Sequence, residues 1–509
     1  MCGILFSKDS KNRLDSYSFN QALLKQSWRG PDAKGTSKEK FGVHLGHVRL
    51  SILDLTSASN QPMKSNCGRY KIIFNGEIYN HLHIRNKFKL NCSTESDTET
   101  ILEAFSSIGS KIFDELEGMY ALVIFNIHNG DWWAARDRFG IKPLFMFDSN
   151  GHTIISSETV SIRHLENCNI SEQSLIEWQM IRRPIPGATF FNEISEVLPG
   201  SIIFNGKLQS VLSIAVPSKE MFDQQLLLEK IHQSITSHEL SHVKNVCLLS
   251  GGIDSTIITA FSSSKKAYTV GLEENNEILE ARSTALELSK NLKEIKLSEK
   301  TMINAWKKLI DLRKEPLSVP NEGLIYLVCK SMEPNEKVVL TGEGADEIFF
   351  GYDRIYREAY LGDKMTLDKF YEFYSYSKSR LNSERLDNFL NDLMKDKTNI
   401  DFLEDFFLQV HLSGLLRRMD MSSMAASKEA RVPFVTKNLI DYMYRRPTGI
   451  KLNKDDSKIP LREICKNLGM FEPLKRKKVG FSSTIKGTKS RFEEYDFFRR
   501  LNMEVLEWL

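Results

Sequence analysis

Short apolar runs separated by turn residues dominate roughly the first two hundred positions of the chain. They predict β-strands at 42–49, 70–75, 120–126, 132–136, 144–147 and 201–204. Asn-Gly pairs, which are typical of hairpin turns, occur at 75–76, 129–130, 150–151 and 205–206. The region is therefore predicted to form largely antiparallel sheets.

The pattern changes near residue 222, where an amphipathic helical stretch begins. An apolar strand at 246–250, two glycines and a helix-like stretch at 255–262 follow. Strand patterns at 267–272 and 337–341 flank a helical pattern at 279–291, and beyond about residue 365 the chain is mostly helical. This alternation predicts an α/β unit with a parallel sheet.

A chain of 509 residues exceeds the roughly 250–300 residues at which a single core stops growing, so two domains are expected. We predict one domain over 1–207, a linker over 208–222 and a second domain over 223–509. A net charge of +3 and 27% charged residues indicate neither a nucleic-acid nor a membrane partner. The seven cysteines form no Cys-x-x-Cys pair, which favours a reducing, cytoplasmic setting.

Cys2 becomes the first residue once Met1 is removed, which places its thiol beside a free α-amine. Because an α-amine has a pKa of roughly 7.7 to 8.0, part of it is unprotonated at neutral pH and can accept the thiol proton. One residue then supplies both a nucleophile and a base.

Five further blocks accompany Cys2, at 29–32, 46–54, 74–80, 96–100 and 135–144. In this order they closely resemble the glutaminase domain of class II, N-terminal-nucleophile amidotransferases. The resemblance implies an αββα sandwich of antiparallel sheets, as in Ntn hydrolases, that hydrolyses glutamine.

The residue types suit that chemistry. The Arg49 guanidinium can pair with the glutamine α-carboxylate, and Glu77 and Asp97 can hold its α-ammonium. The Asn75 side chain and the Gly76 backbone N–H are expected to form the oxyanion hole.

A second motif, Ser-Gly-Gly-x-Asp-Ser at 250–255, follows an apolar strand and opens a helix. Such a turn presents backbone N–H groups to phosphate, and Asp254 offers a carboxylate for Mg²⁺. The motif is neither a Walker A loop nor a dinucleotide fingerprint. It resembles the pyrophosphate loop of enzymes that split ATP into AMP and pyrophosphate, which implies a doubly wound parallel sheet with added helices.

An acidic motif at 340–352 follows another apolar strand, which places its carboxylates at the carboxyl edge of the sheet. By resemblance, Asp346 joins Asp254 as a Mg²⁺ ligand, Glu343 lies beside the substrate, and Lys458 neutralises charge during the reaction. The ATP-binding residues that the resemblance implies are Leu249, Ser250, Gly251, Gly252, Asp254, Ser255, Val270, Thr341 and Gly342.

Segments 429–434 and 458–462 look like a helical region of the same family, and 476–481 resembles its Arg-x-Lys-x-Gly-Phe element. The whole stretch from Cys2 to about residue 481 resembles the glutamine-hydrolysing asparagine synthetases. That resemblance implies adenylation of a carboxylate by Mg·ATP, attack by ammonia delivered through an internal tunnel, and a possible homodimer.

The acceptor stays open, because the chain departs from the family in one stretch. A Thr-Thr-x-Arg-Ala block that contributes to aspartate recognition is replaced at 315–326 by a sequence with no such arginine. Aspartate is the first expectation and a uronic-acid sugar the second. A β-lactam-synthetase-like ligase and a non-catalytic scaffold are further alternatives, against which the complete motifs argue.

Overall fold

Antiparallel strands build two sheets in the first half of the protein. The computed structural model describes residues 2–273, 277–377, 379–476 and 490–508. The strands are β1 (Gly3–Asp9), β2 (Ala33–Glu39), β3 (Val43–Arg49), β4 (Met63–Lys64), β5 (Tyr70–Ile78), β6 (Gly118–Asn126), β7 (Trp132–Arg136), β8 (Phe145–Ser149), β9 (His152–Ser156), β10 (Ile194–Glu196), β11 (Ser201–Phe204) and β12 (Lys207–Val211). All six strand segments predicted from the sequence coincide with observed strands.

The two sheets stack face to face, with orders β10-β8-β9-β1-β3-β2 and β12-β11-β7-β6-β5-β4. Alternation along β1 shows the layering: Ile4 and Phe6 pack against Ile73 of the second sheet, whereas Leu5 packs against Phe19 on the outer side. The outer helices are α1 (Ser16–Leu24), α2 (His81–Phe88), α3 (Asp97–Ile108), α4 (Thr159–Leu165) and α5 (Glu172–Ile181). The predicted αββα sandwich is confirmed.

A parallel sheet of order β15-β14-β13-β16-β17 forms the core of the second half. Its strands are β13 (Lys244–Leu248), β14 (Lys266–Leu272), β15 (Asn291–Leu297), β16 (Glu336–Leu340) and β17 (Glu429–Arg431). The strand order reverses between β13 and β16, and ligands of such sheets bind beyond the carboxyl ends of the strands at this switch point. The loops that carry the two motifs predicted to bind ATP leave the sheet there.

Helices cover both faces of the parallel sheet and extend beyond it. They are α6 (Gln224–His238), α7 (Ile253–Phe261), α8 (Ile278–Glu287), α9 (Glu299–Arg313), α10 (Glu322–Lys330), α11 (Ala345–Phe349), α12 (Asp353–Leu361), α13 (Leu367–Tyr374), α14 (Glu384–Met394), α15 (Asn399–Phe406), α16 (Leu412–Met424), α17 (Lys437–Met443), α18 (Thr448–Lys451), α19 (Ile459–Asn467), α20 (Glu472–Lys475) and α21 (Arg491–Leu506). Cys247 packs with α7 on one face and Val246 with α9 on the other. The predicted doubly wound sheet with added helices is confirmed.

Two local predictions are wrong. Asn75 and Gly76 lie inside β5 rather than in a turn, because Gly76 pairs with Tyr120 of β6 and a Cβ there would lie 2.1 Å from the Met119 carbonyl oxygen. Residues 429–431 form a strand that pairs in parallel with β16, although the segment 429–434 was assigned to a helical region. Of the predicted linker, residues 208–211 belong to β12.

Two candidate active sites

Cys2 lies at the start of β1, between the two sheets of the sandwich. Its side chain is buried, and its backbone nitrogen donates to Asn75 Oδ1 at 3.0 Å. Burial raises the pKa of the Cys2 thiol above its ordinary value. The Asn75 Nδ2 group is buried and donates to no partner within the described residues. An unsatisfied donor of this kind is unusual in a native protein and fits a group that develops negative charge beside it.

The buried Arg29 side chain fixes the position of the Cys2 backbone next to β1. The Arg29 Nε donates to the Cys2 carbonyl oxygen at 2.9 Å, and the same guanidinium pairs with Glu158 at 2.6 Å and Asp420 at 2.8 Å. Ser157 Oγ also accepts from the Ile4 backbone N–H at 3.1 Å. The Ser157-Glu158 pair therefore positions the first strand.

The remaining residues predicted to bind glutamine converge on Cys2. Arg49, Gly76, Glu77 and Asp97 line one cavity of about 30 Å³ with the thiol. The Arg49 guanidinium donates to the Thr56 carbonyl at 2.7 Å and to Asn60 Oδ1 at 2.8 Å, so no carboxylate neutralises it among the residues described.

Two buried carboxyl groups line the same cavity. Burial raises the pKa of Asp97 to about 6, even though Asp97 accepts from the Ile78 backbone N–H at 2.9 Å. Burial and the neighbouring Asp97 raise the pKa of Glu77 well above its ordinary value. Both shifts have the direction expected for carboxyl groups removed from water.

Glu429 and Arg431 reach this cavity from the parallel sheet, which the sequence did not predict. Glu429 lines the cavity, and Arg431 donates to Glu429 Oε1 at 2.6 Å and to Glu77 Oε2 at 3.1 Å. The Arg431 carbonyl in turn accepts from the Thr341 backbone N–H at 3.0 Å. The motif was visible as Glu-Ala-Arg at 429–431, but only the three-dimensional fold brings it to the Cys2 cavity.

A second cavity, of about 640 Å³, opens at the switch point of the parallel sheet. Ser250 lines it from the first loop, and Asp254 and Ser255 line it from the start of α7. Thr341, Gly342 and Glu343 line it from the second loop, and Asp346 from the start of α11. A Cβ on Gly342 would lie 2.9 Å from the Asp254 Cβ, so the absence of a side chain lets the two loops touch.

Lys458 places a positive charge between the two loops. Its Nζ lies 2.7 Å from Asp254 Oδ1 and 2.6 Å from Asp346 Oδ1. The residue has φ +54° just before α19. A left-handed backbone is disfavoured for lysine, so the local fold holds it there. The structure thus brings together three of the residues that the sequence singled out.

Not every predicted ATP-binding residue reaches the cavity. Leu249 and Val270 are buried in hydrophobic clusters on opposite faces of the sheet. Gly251 and Gly252 lie in the loop itself; the Gly251 carbonyl accepts from Arg476 Nη1 at 2.8 Å. Arg476 begins the predicted Arg-x-Lys-x-Gly-Phe element, and residues 477–481 lie outside the described residues.

The segment 315–326 contributes little to the cavity, although it was expected to shape the acceptor pocket. Only Asn321 and Ile325 of this segment line it, whereas Leu317 and Leu324 are buried in the core. Arg418 of α16 approaches instead, donating to Asn321 Oδ1 at 3.1 Å and to Glu343 Oε1 at 2.7 Å. The Arg418 guanidinium therefore lies beside the segment 315–326, which contains no arginine.

A hydrogen-bonded chain forms another part of the wall and was also missed from the sequence. Tyr352 donates to Glu347 and lies 2.9 Å from His411 Nε2, while Tyr374 Oη lies 2.6 Å from His411 Nδ1. Burial raises the pKa of Glu347 to about 8. His411 ends a π-helical turn, Phe407–His411, of the kind often found at functional sites.

Comparison with known proteins matches two family models to successive parts of the chain. Residues 1–212 match the family model described as glutamine amidotransferase domain, and residues 226–501 match asparagine synthase. The chain is 28% identical to glutamine-hydrolyzing asparagine synthetase 1 of Bacillus subtilis (strain 168), over 96% of this chain and 87% of that protein. It is 28% identical to amidase chyE of Penicillium rubens, over 64% of this chain and 53% of that protein.

Among solved structures, glutamine phosphoribosylpyrophosphate amidotransferase from B. subtilis matches 58% of this chain and 65% of its own, with a TM-score of 0.31 and 14% identity. No helix in the described ranges is long and apolar enough to cross a membrane. The asparagine synthase model alone spans more than half of the sequence. The chain therefore belongs to the asparagine synthase family, as a glutamine-hydrolysing carbon–nitrogen ligase.

Proposed function

We propose that the protein hydrolyses glutamine at Cys2 and uses the ammonia to amidate a carboxylate that ATP has adenylated. The products are the amide, AMP, pyrophosphate and glutamate. The observation that carries the proposal is the position of Lys458, whose ammonium contacts Asp254 and Asp346 at the switch point of the sheet. With the two carboxylates bound to Mg²⁺, the ammonium would be left to stabilise the negative charge of phosphates and of an acyl-adenylate.

The first reaction is acyl transfer to the thiol. The Cys2 sulfur attacks the side-chain amide carbon of glutamine, and the thiol proton passes to the α-amine exposed by loss of Met1. Asn75 Nδ2 and the Gly76 N–H stabilise the oxyanion. Ammonia leaves with that proton, and water then hydrolyses the thioester to glutamate.

Substrate recognition in this site follows from charge. Arg49 takes the α-carboxylate of glutamine, and Asp97 with Glu77 takes its α-ammonium. The cavity of about 30 Å³ has room for only about two water molecules. Glutamine entry therefore requires the cavity to widen.

The second reaction begins when an acceptor carboxylate oxygen attacks the α-phosphorus of ATP and pyrophosphate leaves. The backbone N–H groups after β13, with Ser250 and Ser255, hold the pyrophosphate end. Ammonia then attacks the acyl carbon, one of its protons is lost, and AMP departs with the electrons of the acyl–oxygen bond. Lys458 neutralises charge in both steps, and Glu343, held by Arg418, lies beside the reacting carbon.

Asp254 and Asp346 fit a Mg²⁺ ion that arrives with ATP. Both carboxylates contact the same ammonium, so a positive charge already occupies the space between them. Mg²⁺ in nucleotide sites takes one or two carboxylates and completes its shell with phosphates and water. When bound, it neutralises phosphate charge. No larger group of ligating side chains occurs in the described segments, and this role needs none.

In this proposal, ammonia released at Cys2 passes through the interior of the protein, and an apolar cluster lies next to the first cavity on the side of the parallel sheet. Leu50 and Ile52, which line the glutamine cavity, pack against Val338 of β16 and Met424 of α16. Apolar walls offer neutral ammonia no proton, so it arrives as a nucleophile. The free thiols of all seven cysteines support the cytoplasm as the setting.

Aspartate is the acceptor that we propose. Arg418, beside Asn321 and Glu343, supplies a cation near the segment 315–326. A uronic-acid sugar is the second candidate, favoured by the aromatic side chains Phe373, Tyr374 and Tyr376 on the cavity wall, since sugar rings bind to aromatic faces. A similar protein, amidase chyE, is not named as an asparagine synthetase, which is consistent with an acceptor other than aspartate.

The test is pyrophosphate release from ATP with glutamine, measured across aspartate and several uronic acids, with mass spectrometry of the product. We expect release with one acid and a product lighter by one mass unit, since –OH is replaced by –NH₂. Glutamate formation without pyrophosphate release from any acid would contradict the adenylation step.

A further inference from the structure

Arg182 belongs to the N-terminal domain, but its positively charged side chain lines the second cavity. It directly follows α5 with φ +68°, a left-handed conformation that glycine adopts most easily. Met180 and Ile181, just before it, pack in the hydrophobic cluster of α12 to α15. The end of α5 is thus inserted into the helical part of the other domain, and Arg182 lines the cavity there.

The Arg182 guanidinium is held by aromatic rings and not by an acid. It lies 4.2 Å from the Tyr374 ring centroid and 4.9 Å from that of Tyr376. Within the described residues no carboxylate lies in salt-bridge range of it. Arg183 is the contrast: it pairs with Glu196 at 2.7 Å and donates to Ser413 Oγ at 2.8 Å, so its charge is satisfied structurally.

Charged side chains of both signs line the cavity, and Asp353 of α12 is among them. Asp254 and Asp346 come from the loops at the sheet edge, where Lys458 pairs with them. Arg182 and Arg354 come from the helical wall, and Arg354 lies 4.9 Å from the Phe373 ring centroid. A half-buried cation without a neutralising acid favours an anionic ligand group, and a planar guanidinium stacked on rings binds carboxylate or phosphate in a fork.

We propose that Arg182 binds a second anionic group of the acceptor, separate from the carboxylate that is adenylated. The acceptor is then an acid with two anions, either a dicarboxylic amino acid or a phosphorylated uronic acid. This inference rests on the proposed adenylation. It makes Arg182 a specificity-determining residue, and it explains how 315–326 can lack an arginine while the pocket still recognises an anion.

Paired acids test the proposal with the full-length enzyme, glutamine and ATP. Aspartate is paired with β-alanine, which lacks the α-carboxylate, and D-glucuronate 1-phosphate with D-glucuronate. Pyrophosphate release gives KM and kcat for each acid. A preference for aspartate over β-alanine would show that the second anion is a carboxylate. A preference for D-glucuronate 1-phosphate over D-glucuronate would show that it is a phosphate.

Two variants of Arg182 and one control are compared. Arg182→Met keeps an apolar stem and removes the charge, and Arg182→Lys keeps the charge without the fork. Arg163→Met is the control, because Arg163 also stacks on a ring, Phe191 at 4.2 Å, but lies outside the cavity. Glutaminase activity reports whether each variant is folded.

We expect Arg182→Met to raise KM for the doubly anionic acid roughly 10- to 100-fold, which corresponds to one lost charged hydrogen-bonded contact. Arg182→Lys should recover part of the loss, and KM for the acid with one anion and for ATP should change less than about twofold. An unchanged acceptor KM, or a rise in the ATP KM alone, would overturn the inference. Wild-type enzyme that hydrolyses glutamine but releases no pyrophosphate with any acid would overturn the proposed function, and this inference with it.

Discussion

Arg431 Nη2 lies 3.1 Å from Glu77 Oε2, so a side chain of the parallel sheet pairs with a residue of the glutamine cavity. The same arginine accepts, through its backbone carbonyl, a hydrogen bond from Thr341 on the wall of the second cavity. One fully buried residue therefore contacts both candidate sites. The two sites are thus connected through a single strand, β17.

Replacing Arg431 should destabilise the protein strongly. Arg431→Met leaves Glu77 and Glu429 buried without their cation, and removing one partner of a buried pair costs about 3–5 kcal/mol. The expected loss of stability is large because the side chains of Arg431 and Glu429 are paired and essentially inaccessible to water. The free energy of unfolding, measured by chemical denaturation, checks this.

A matched surface pair provides the control. Arg282 pairs with Glu294 at 2.6 Å, but its side chain is 47% exposed. Exposed pairs contribute at most about 1 kcal/mol, so Arg282→Met should lie close to the wild type. Equal losses in the two variants would contradict the role assigned to Arg431.

Cys2→Ala should separate the two reactions. The variant lacks the nucleophile, so glutamine-dependent product formation should fall to background. Activity with high concentrations of ammonium salt should stay within about twofold of wild type, because the second cavity is unchanged. Product formation with each nitrogen source is the measurement. A parallel loss of the ammonia-dependent activity would argue against two independent sites.

Asp254→Asn should abolish the second reaction and leave glutamine hydrolysis intact. It removes one carboxylate from the Lys458 contact at 2.7 Å and weakens the proposed Mg²⁺ site, so pyrophosphate release should fall roughly 10²-fold or more with either nitrogen source. Glutamate formation should continue. Chelation of Mg²⁺ in the wild type should reproduce this pattern, and full pyrophosphate release in the variant would contradict the site.

Patterns along the chain predicted most elements, because strands and turns depend on near neighbours. Residues 132–136 were predicted as a strand and form β7 with the same bounds. The Asn-Gly pair at 75–76 wrongly predicted a turn, because a glycine within a strand can instead allow a neighbouring backbone to come close. The three-residue strand β17 carries two charged side chains and so lacks the apolar run that indicates a buried strand.

Site residues carried by recognisable motifs were predicted, and those brought in by the tertiary fold were not. Cys2 and Asp97 were chosen from the sequence and line one cavity, and Asn75, also chosen, accepts a hydrogen bond from the Cys2 backbone nitrogen. Arg182 is distant in sequence from the second-domain residues around it and follows no motif. Its position depends on where α5 enters the other domain, which no local pattern encodes.

The pKa of Asp97, raised to about 6 by burial, gives glutamine binding a distinct dependence on pH. Above that value the carboxylate is ionised and can pair with the α-ammonium of glutamine. Below it, a proton must leave before the ammonium binds, so KM for glutamine should rise about tenfold for each pH unit below 6. The α-amine of Cys2 acts separately: its protonation lowers kcat from about pH 8 downward.

Glutaminase kinetics between pH 5 and pH 8 separate these two effects. The Asp97→Asn variant carries no titrating group at that position, so its KM should be high and nearly independent of pH. Its kcat should keep the wild-type dependence on pH, because the thiol and the amine are unchanged. A wild-type KM that stays constant from pH 7 to pH 5, or an Asp97→Asn variant that retains the same rise, would show that another group binds the α-ammonium. Since burial also raises the pKa of Glu77, Glu77→Gln is the variant to compare in that case.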